Sequence, residues 1–91
     1  MGVVRFINVG YGNVVSSDKI VAVVLPDAAP IKRLVQDARS NGNVIDATCG
    51  RKTRAVIITD SGHIVLSALL PETICARVQS FKDAEEENRS F

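Results

Sequence analysis

Short runs rich in β-branched residues alternate with polar, glycine-containing turns along most of the chain. This pattern predicts five extended segments. The second segment is interrupted at residues 16–19, which indicates a bulge or a separate short turn. Turns are expected at residues 10–13 and at residues 60–62, where Asp-Ser-Gly is a hairpin signal. The extended segments are Val3–Val9, Val14–Leu25, Val44–Ala47, Arg54–Thr59 and His63–Leu69.

A helical pattern follows Pro26. Asp27 is the expected N-cap, and Pro30 falls in the first turn, where its missing N–H costs nothing. Asn41-Gly42 supplies the expected C-terminal stop. The hydrophobic positions recur with the period of an amphipathic helix: Ile31, Leu34, Val35 and Ala38.

A second helix is predicted to begin at Pro71-Glu72, with proline at the first position and an acid in the first turn. Its hydrophobic side is Ile74, Val78 and Phe81. Beyond Lys82 no hydrophobic stripe continues. We therefore expect one folded domain over residues 1–82 and an acidic, disordered tail over residues 83–91.

The predicted fold class is a small α/β (α+β) domain with a mixed sheet of about five strands and two helices. Strands such as residues 55–58 and 64–66 are continuously apolar rather than alternating, so both of their faces require burial. Two short helices cannot cover both faces of such a sheet. The simplest remaining cover is another copy of the chain, and we expect an obligate homo-oligomer.

The charge distribution separates the body of the chain from its end. The 91 residues carry a formal net charge of +1, but residues 1–82 hold a balance of +4 and residues 83–91 a balance of −3.

The two cysteines lack metal-site or redox-motif spacing, which favours reduced thiols in a cytosolic protein. No apolar run approaches the length of a membrane span, and the apolar N-terminal run is too short for a signal peptide. We expect a soluble, cytoplasmic protein.

The segment Thr48–Arg54 is the strongest functional candidate. Its cations, Arg51, Lys52 and Arg54, fall within four positions between a glycine and an apolar strand. Three like charges repel one another, so turn chemistry alone explains them poorly, and their natural complement is a polyanion. The segment is expected on an exposed hairpin tip, and a merely solvated tip is the alternative to a binding role. Scarce aromatic residues argue against single-stranded nucleic acid, and no helix-turn-helix is encoded. The binding mode that is left is contact between the basic segment and the phosphate backbone of duplex DNA.

Catalytic and metal chemistry find little support. The one histidine, His63, and the two cysteines, Cys49 and Cys75, make a poor nucleophilic pair and a poor zinc set. Gly10-Tyr11-Gly12 lacks the third glycine and the following helix of a dinucleotide loop. We expect no enzyme activity, no cofactor and no metal.

Three blocks of the chain resemble the RemA family of bacterial extracellular-matrix regulators: Ile7–Asn13, Ala29–Arg39 and Ile45–Val56. The resemblance extends from about Val3 to Val78. It implies a DNA-binding transcriptional regulator of biofilm-matrix and osmoprotection genes. It also implies assembly into a ring, which we expect to be octameric, with double-stranded DNA running around its rim and a nucleoid-associated location.

The resemblance also assigns DNA contacts. The arginines that contact DNA in the family correspond to Lys19, Arg51 and Lys52 of this chain, so two of the three are lysine here. Lysine keeps the charge but not the planar bidentate fork. Arg54 is added from its spacing alone. The alternative function is an interaction oligomer that presents the same segment to an acidic protein partner.

Overall fold

The computed structural model describes residues 5–79, in which six strands and two helices form an α+β fold. The predicted strand start at residues 3–4, Phe81 and the predicted tail at residues 83–91 lie outside the described residues. The interruption predicted at residues 16–19 is a 3₁₀ turn, Ser17–Lys19. The elements are β1 (Phe6–Gly10), β2 (Asn13–Ser16), β3 (Ile20–Val24), α1 (Ala29–Ser40), β4 (Val44–Asp46), β5 (Ala55–Thr59), β6 (Ile64–Ser67) and α2 (residues 71–79).

The strands form two sheets, so the prediction of one sheet of about five strands was wrong. β1 and β2 make a separate antiparallel hairpin, and the other strands make a four-stranded sheet in the order β3–β5–β6–β4. The 3₁₀ turn breaks the long second segment into two strands that belong to different sheets. β4 pairs in parallel with β6, whereas the other pairs of the large sheet are antiparallel.

The hairpins predicted at residues 10–13 and at residues 60–62 are confirmed. The β1–β2 turn contains Tyr11 at φ 55° and Gly12 at φ 80°, the left-handed pair that a two-residue type I′ turn requires. β5 and β6 are joined through residues 60–62, where Gly62 has φ 85°.

One hydrophobic core lies between the large sheet, the β1–β2 hairpin and α2. Ile57 and Val65 project from the sheet, Ile7 and Val9 from the hairpin, and Ile74 from α2. The hairpin is also fixed to the sheet by a buried hydrogen bond, in which the Ser67 hydroxyl donates to the Val9 carbonyl over 2.7 Å. Because successive residues of a strand point to opposite faces, β5 and β6 also supply a second core.

The second core lies on the opposite face of the sheet and is covered by α1. Val56 and Leu66 pack there against Ile31, Val35 and Ala38 of the helix, as the hydrophobic stripe predicted. The fourth stripe residue, Leu34, stays 37% exposed and does not join this core.

The chain therefore covers both faces of its central strands by itself. The argument that a second copy must cover β5 and β6 was wrong, because the β1–β2 hairpin supplies the missing layer. Hydrophobic surface remains only partly covered at the margins of the described fold, where Val14, Val21, Leu25 and Ile45 are each more than half exposed.

The ends of α1 confirm one predicted cap and correct the other. The helix ends at Ser40, with Asn41 as its C-cap and Gly42 after it at φ 72°, as expected. The N-cap is Ala28 rather than Asp27, and no side chain caps the first turn. Pro30 in the first turn is confirmed and removes one of the N–H groups that a cap would satisfy.

Candidate nucleic-acid interface

The basic segment is a connection that crosses the end of the large sheet, and the prediction of a hairpin tip was wrong. β4 and β5 both neighbour β6, so the chain passes from one side of β6 to the other. The Ala47 amide donates to the Leu66 carbonyl over 2.9 Å, and the Arg54 amide donates to the Ser67 carbonyl over 2.8 Å. We call residues 48–54 the basic loop. Its two ends are fixed to the same strand, which limits its movement.

A tight turn lies at the centre of the basic loop. The Arg51 amide donates to the Thr48 carbonyl over 3.1 Å. Cys49 has φ 55° and Gly50 has φ 80°, which are again values of a type I′ turn. A left-handed conformation at two consecutive residues explains the glycine and sets the direction in which the cations leave the turn.

Asp46, at the end of β4, braces this turn. Its Oδ1 accepts hydrogen bonds from the Thr48 hydroxyl over 2.6 Å and from the Thr48 amide over 2.9 Å. These two hydrogen bonds, with a smaller contribution from the positive charge of Arg39, lower the pKa of the Asp46 carboxyl. Thr48 itself is buried. The turn is therefore stabilised by hydrogen bonds to the Asp46 carboxylate, which is charged at neutral pH.

The β1–β2 turn lies beside the basic loop and contacts it directly. The guanidinium carbon of Arg51 lies 4.7 Å from the centre of the Tyr11 ring, a cation–π contact. The Asn13 amide nitrogen donates to the Ala47 carbonyl over 3.4 Å. Sequence reasoning missed both residues, although an aromatic side chain within a tight polar turn was a usable signal.

The structure brings three of the four predicted site residues together. Arg51, Lys52 and Arg54 are exposed at the same end of the large sheet. Within residues 5–79, neither Lys52 nor Arg54 pairs with a carboxylate. The loop thus presents concentrated positive charge that the described part of the chain does not neutralise.

Two further cations extend this surface. A groove of about 260 Å³ lies between α1 and the basic loop, with Thr53 at the loop side. Lys32 and Arg39 line it from α1. Sequence reasoning placed these side chains on the solvent face of the helix and gave them no role, because the approach of α1 to the loop depends on tertiary packing.

Lys19 lies at the other end of the sheet. Its carbonyl accepts a hydrogen bond from the Asp60 amide over 2.9 Å, and its Nζ lies 3.9 Å from Asp60 Oδ2. Arg54 and Asp60 flank the five residues of β5, so they are six residue steps and roughly 20 Å apart at about 3.3 Å per step. Lys19 therefore does not share a binding surface with the basic loop in one copy of the chain.

The candidates for catalysis remain dispersed. Cys49 and Cys75 are both exposed free thiols. His63 Nδ1 lies 2.8 Å from the Ser61 hydroxyl. No group of three or more His, Cys, Asp or Glu side chains suited to a metal ion occurs within residues 5–79. Neither helix of this range combines the length and hydrophobicity needed to span a bilayer.

Comparison with known proteins adds a family relationship. Residues 6–78 match the model of the RemA-like family, described as extracellular matrix regulatory protein A-like. A protein of Geobacillus thermodenitrificans is 57% identical over 83 residues, covering 91% of this chain and 95% of its own. One from Symbiobacterium thermophilum is 56% identical over 91 residues, covering 96% of each chain. One from Acaryochloris marina is 50% identical over 86 residues, covering 94% of this chain and 98% of its own. All three carry the description "Putative regulatory protein".

Proposed function

Because the chain belongs to the extracellular matrix regulatory protein A-like family, we propose that it regulates transcription of biofilm-matrix genes by binding duplex DNA through the basic loop. The similar proteins are described as regulatory, which favours a regulator over an enzyme. The proposal places the protein in the cytoplasm, in association with the nucleoid.

The observation that carries the proposal is the braced cluster of cations on the basic loop. Arg51, Lys52 and Arg54 lie on one loop whose two ends are fixed to β6, at the same end of the sheet. The duplex backbone carries closely spaced phosphates, and its affinity for cations arises from release of condensed counterions. A guanidinium fork suits phosphate oxygens, and the stacking of Arg51 on Tyr11 holds one fork in place before binding.

A single copy offers a weak site. With about three phosphate contacts, the slope of log affinity against log salt is about −2.7, so raising salt from about 50 to about 200 mM weakens binding roughly 40-fold. An assembly that places several basic loops on one duplex multiplies these contacts and gains effective concentration.

We propose that this assembly is a homo-oligomeric ring with the duplex along its rim. The support is the hydrophobic surface at the margins of the sheet, which water would otherwise contact. DNA held by its backbone around a rim requires few base contacts, which suits a chain without a recognition helix.

Lys19 contributes a second, separate phosphate contact in this proposal. The roughly 20 Å between it and the basic loop equals about six phosphate spacings along one strand of a duplex. A duplex that passes both ends of the sheet therefore meets Lys19 and the basic loop at phosphates about half a helical turn apart. Lysine is sufficient there, since a point charge needs no fork geometry.

The test is fluorescence anisotropy with duplexes of about 12, 24 and 48 base pairs at fixed low salt. The proposal predicts affinity that rises with length well beyond the increase in site number, since longer duplexes engage more loops. Affinity that does not change with length would instead favour an acidic protein as the partner of the same loop. Polyglutamate that competes as well as the longest duplex would support that alternative.

A further inference from the structure

The side of α1 that faces the basic loop combines charged, polar and hydrophobic side chains. Four residues recur there at the spacing of one helical face and line the groove between α1 and the loop: Lys32, Val35, Gln36 and Arg39. Thr53 lines it from the loop side. We call it the α1 groove. It brings two cations, an amide and a hydroxyl to one concave surface.

The floor of the α1 groove belongs to the hydrophobic core under α1. Val56 and Leu66 line the groove and are 0% and 3% exposed, and Val35 is partly buried beside them. Because these side chains are packed in the core, the shape of the floor does not depend on a ligand. A preformed hydrophobic floor with a few polar groups around it is the usual composition of a small-molecule site.

The electrostatics of the groove favour an anion. Lys32 and Arg39 are two helical turns apart, about 10 Å along the axis of α1, so they flank the groove with Gln36 between them. Within residues 5–79, neither cation pairs with a carboxylate, and no acidic side chain lines the groove. A bound anion would therefore find two positive charges that the described part of the chain leaves uncompensated.

We propose that the α1 groove binds a nucleoside monophosphate. Lys32 and Arg39 compensate the phosphate, and the base lies on the hydrophobic floor. The amide of Gln36, which can donate and accept, and the hydroxyl of Thr53 face the edge of the base. The volume is slightly below the roughly 300–1,000 Å³ of ordinary ligand pockets, so it suits one nucleotide rather than a dinucleotide.

Two other anions use less of this surface. Inorganic phosphate would meet the cations and leave the floor and the amide without a partner. The backbone of duplex DNA could also reach the cations, but its bases are stacked inside the helix and cannot reach the floor. A single nucleotide uses the charge, the floor and the polar groups together.

The place of the groove has a regulatory consequence, which rests on the proposed function. A bound phosphate carries about −1.5 to −2 charges at pH 7 and would lie beside the cations of the basic loop. After the hydrogen bonds from Thr48, the positive charge of Arg39 also lowers the pKa of Asp46, so Arg39 lies near the residue that braces the loop turn. Nucleotide and duplex are therefore expected to weaken each other's binding.

Isothermal titration calorimetry of the full chain at low salt, without DNA, tests the site. The probes are AMP, adenosine, ribose 5-phosphate and inorganic phosphate. AMP should bind once per chain, and each of the others should bind at least about 10-fold more weakly, because each lacks the base or the phosphate.

Variants locate the binding. Lys32→Ala and Arg39→Ala should each weaken AMP binding about 3- to 10-fold by removing one charge partner. Gln36→Leu keeps the size of the side chain and should bring the affinity for AMP closer to that for ribose 5-phosphate. The matched control is Arg33→Ala, which removes the same charge from an exposed position on α1 outside the groove and should leave AMP binding unchanged.

Three results would overturn the nucleotide site. AMP that binds no better than ribose 5-phosphate or inorganic phosphate would show only a general attraction for anions. Equal losses in Lys32→Ala and Arg33→Ala would show an effect of net charge alone. AMP binding that is lost in Arg51→Ala but kept in Lys32→Ala and Arg39→Ala would place the nucleotide on the basic loop.

Fluorescence anisotropy with a duplex separates this inference from the DNA proposal. Saturating AMP should lower duplex affinity about 5-fold or more, whereas inorganic phosphate at equal ionic strength should not. Unchanged duplex affinity would overturn the antagonism. Duplex binding by a chain that does not bind AMP would overturn the nucleotide site and leave the DNA proposal standing. AMP binding by a chain that does not bind duplex would overturn the DNA proposal and leave the nucleotide site intact.

Discussion

Replacing Arg51 by alanine tests the basic loop most sharply, because the structure gives this side chain two separate advantages as a phosphate ligand. It leaves a turn whose ends are fixed to β6, and its guanidinium rests on the Tyr11 ring at 4.7 Å. Less side-chain freedom is lost on binding than for Lys52, which has no such support within the described residues. Arg51→Ala should therefore weaken duplex binding more than Lys52→Ala does.

The expected size follows from one lost contact per copy. A hydrogen bond to a charged group such as phosphate is worth about 1.5–3 kcal/mol, so affinity per copy should fall by about 10- to 150-fold. The salt slope should shrink from about −2.7 to about −1.8 per copy. Raising salt from about 50 to about 200 mM should then weaken the variant only roughly 12-fold, against roughly 40-fold for the parent chain.

The assay is a salt titration by fluorescence anisotropy with two unrelated duplex sequences. Both sequences should lose affinity equally, because backbone contacts carry no sequence information. Arg33→Ala is the control, since it removes the same charge from an exposed position on α1 that does not line the groove beside the basic loop. An unchanged salt slope for Arg51→Ala would show that Arg51 does not contact phosphate. An equal change in Arg33→Ala would show that the effect comes from net charge alone. Loss of the assembly in Arg51→Ala would show that the residue has a structural role instead.

Three further changes probe the neighbourhood of the loop. Tyr11→Ala should weaken duplex binding about 2- to 5-fold, because it removes a cation–π contact of about 0.5–1 kcal/mol that holds Arg51 in place. The salt slope should stay unchanged, and a steeper or shallower slope would argue against Tyr11 acting only by positioning Arg51. Gly50→Ala places a side chain at φ 80° with open space around it, so backbone strain alone should destabilise folding by about 1 kcal/mol in urea titrations; an unchanged midpoint would contradict this. Asp46→Asn should be less stable than the parent at pH 7. Because the folded-state pKa of Asp46 is lowered, its contribution is complete above the unfolded value of about 3.9 and disappears as pH falls through the lower folded value. The two stabilities should therefore converge in acid, and a constant difference would contradict the assignment.

The local elements were predictable because their signals are local. The stripe Ile31, Val35 and Ala38 specifies which face of α1 is buried, and the turn at residues 60–62 joins adjacent strands. Each depends on residues within a few positions of one another, so spacing and turn chemistry suffice.

The arrangement of the strands was not predictable from those signals. A continuously apolar strand indicates that both faces are covered but not what covers them. The β1–β2 hairpin fills that role here, and it does so because a 3₁₀ turn at Ser17–Lys19 sends β3 into another sheet. Likewise, the parallel pairing of β4 with β6 converts an expected hairpin tip into a crossing loop.

In the candidate site, too, the features that are local in sequence were predictable and those that depend on tertiary packing were not. The charge cluster itself is contiguous in sequence, so Arg51, Lys52 and Arg54 could be identified from spacing. The contact of Arg51 with Tyr11 joins positions 40 residues apart, and Lys19 is separated from the loop by the length of β5. Neither spatial relationship follows from the spacing of these residues along the sequence.

The central claim is that copies of this chain assemble and together present their basic loops to one duplex. Size-exclusion chromatography with light scattering, run with and without a long duplex at low salt, tests it most directly. The account predicts a protein mass several times the 9.8 kDa of one chain, and a heavier complex when duplex is added. A 9.8 kDa species that elutes unchanged beside free DNA would contradict it.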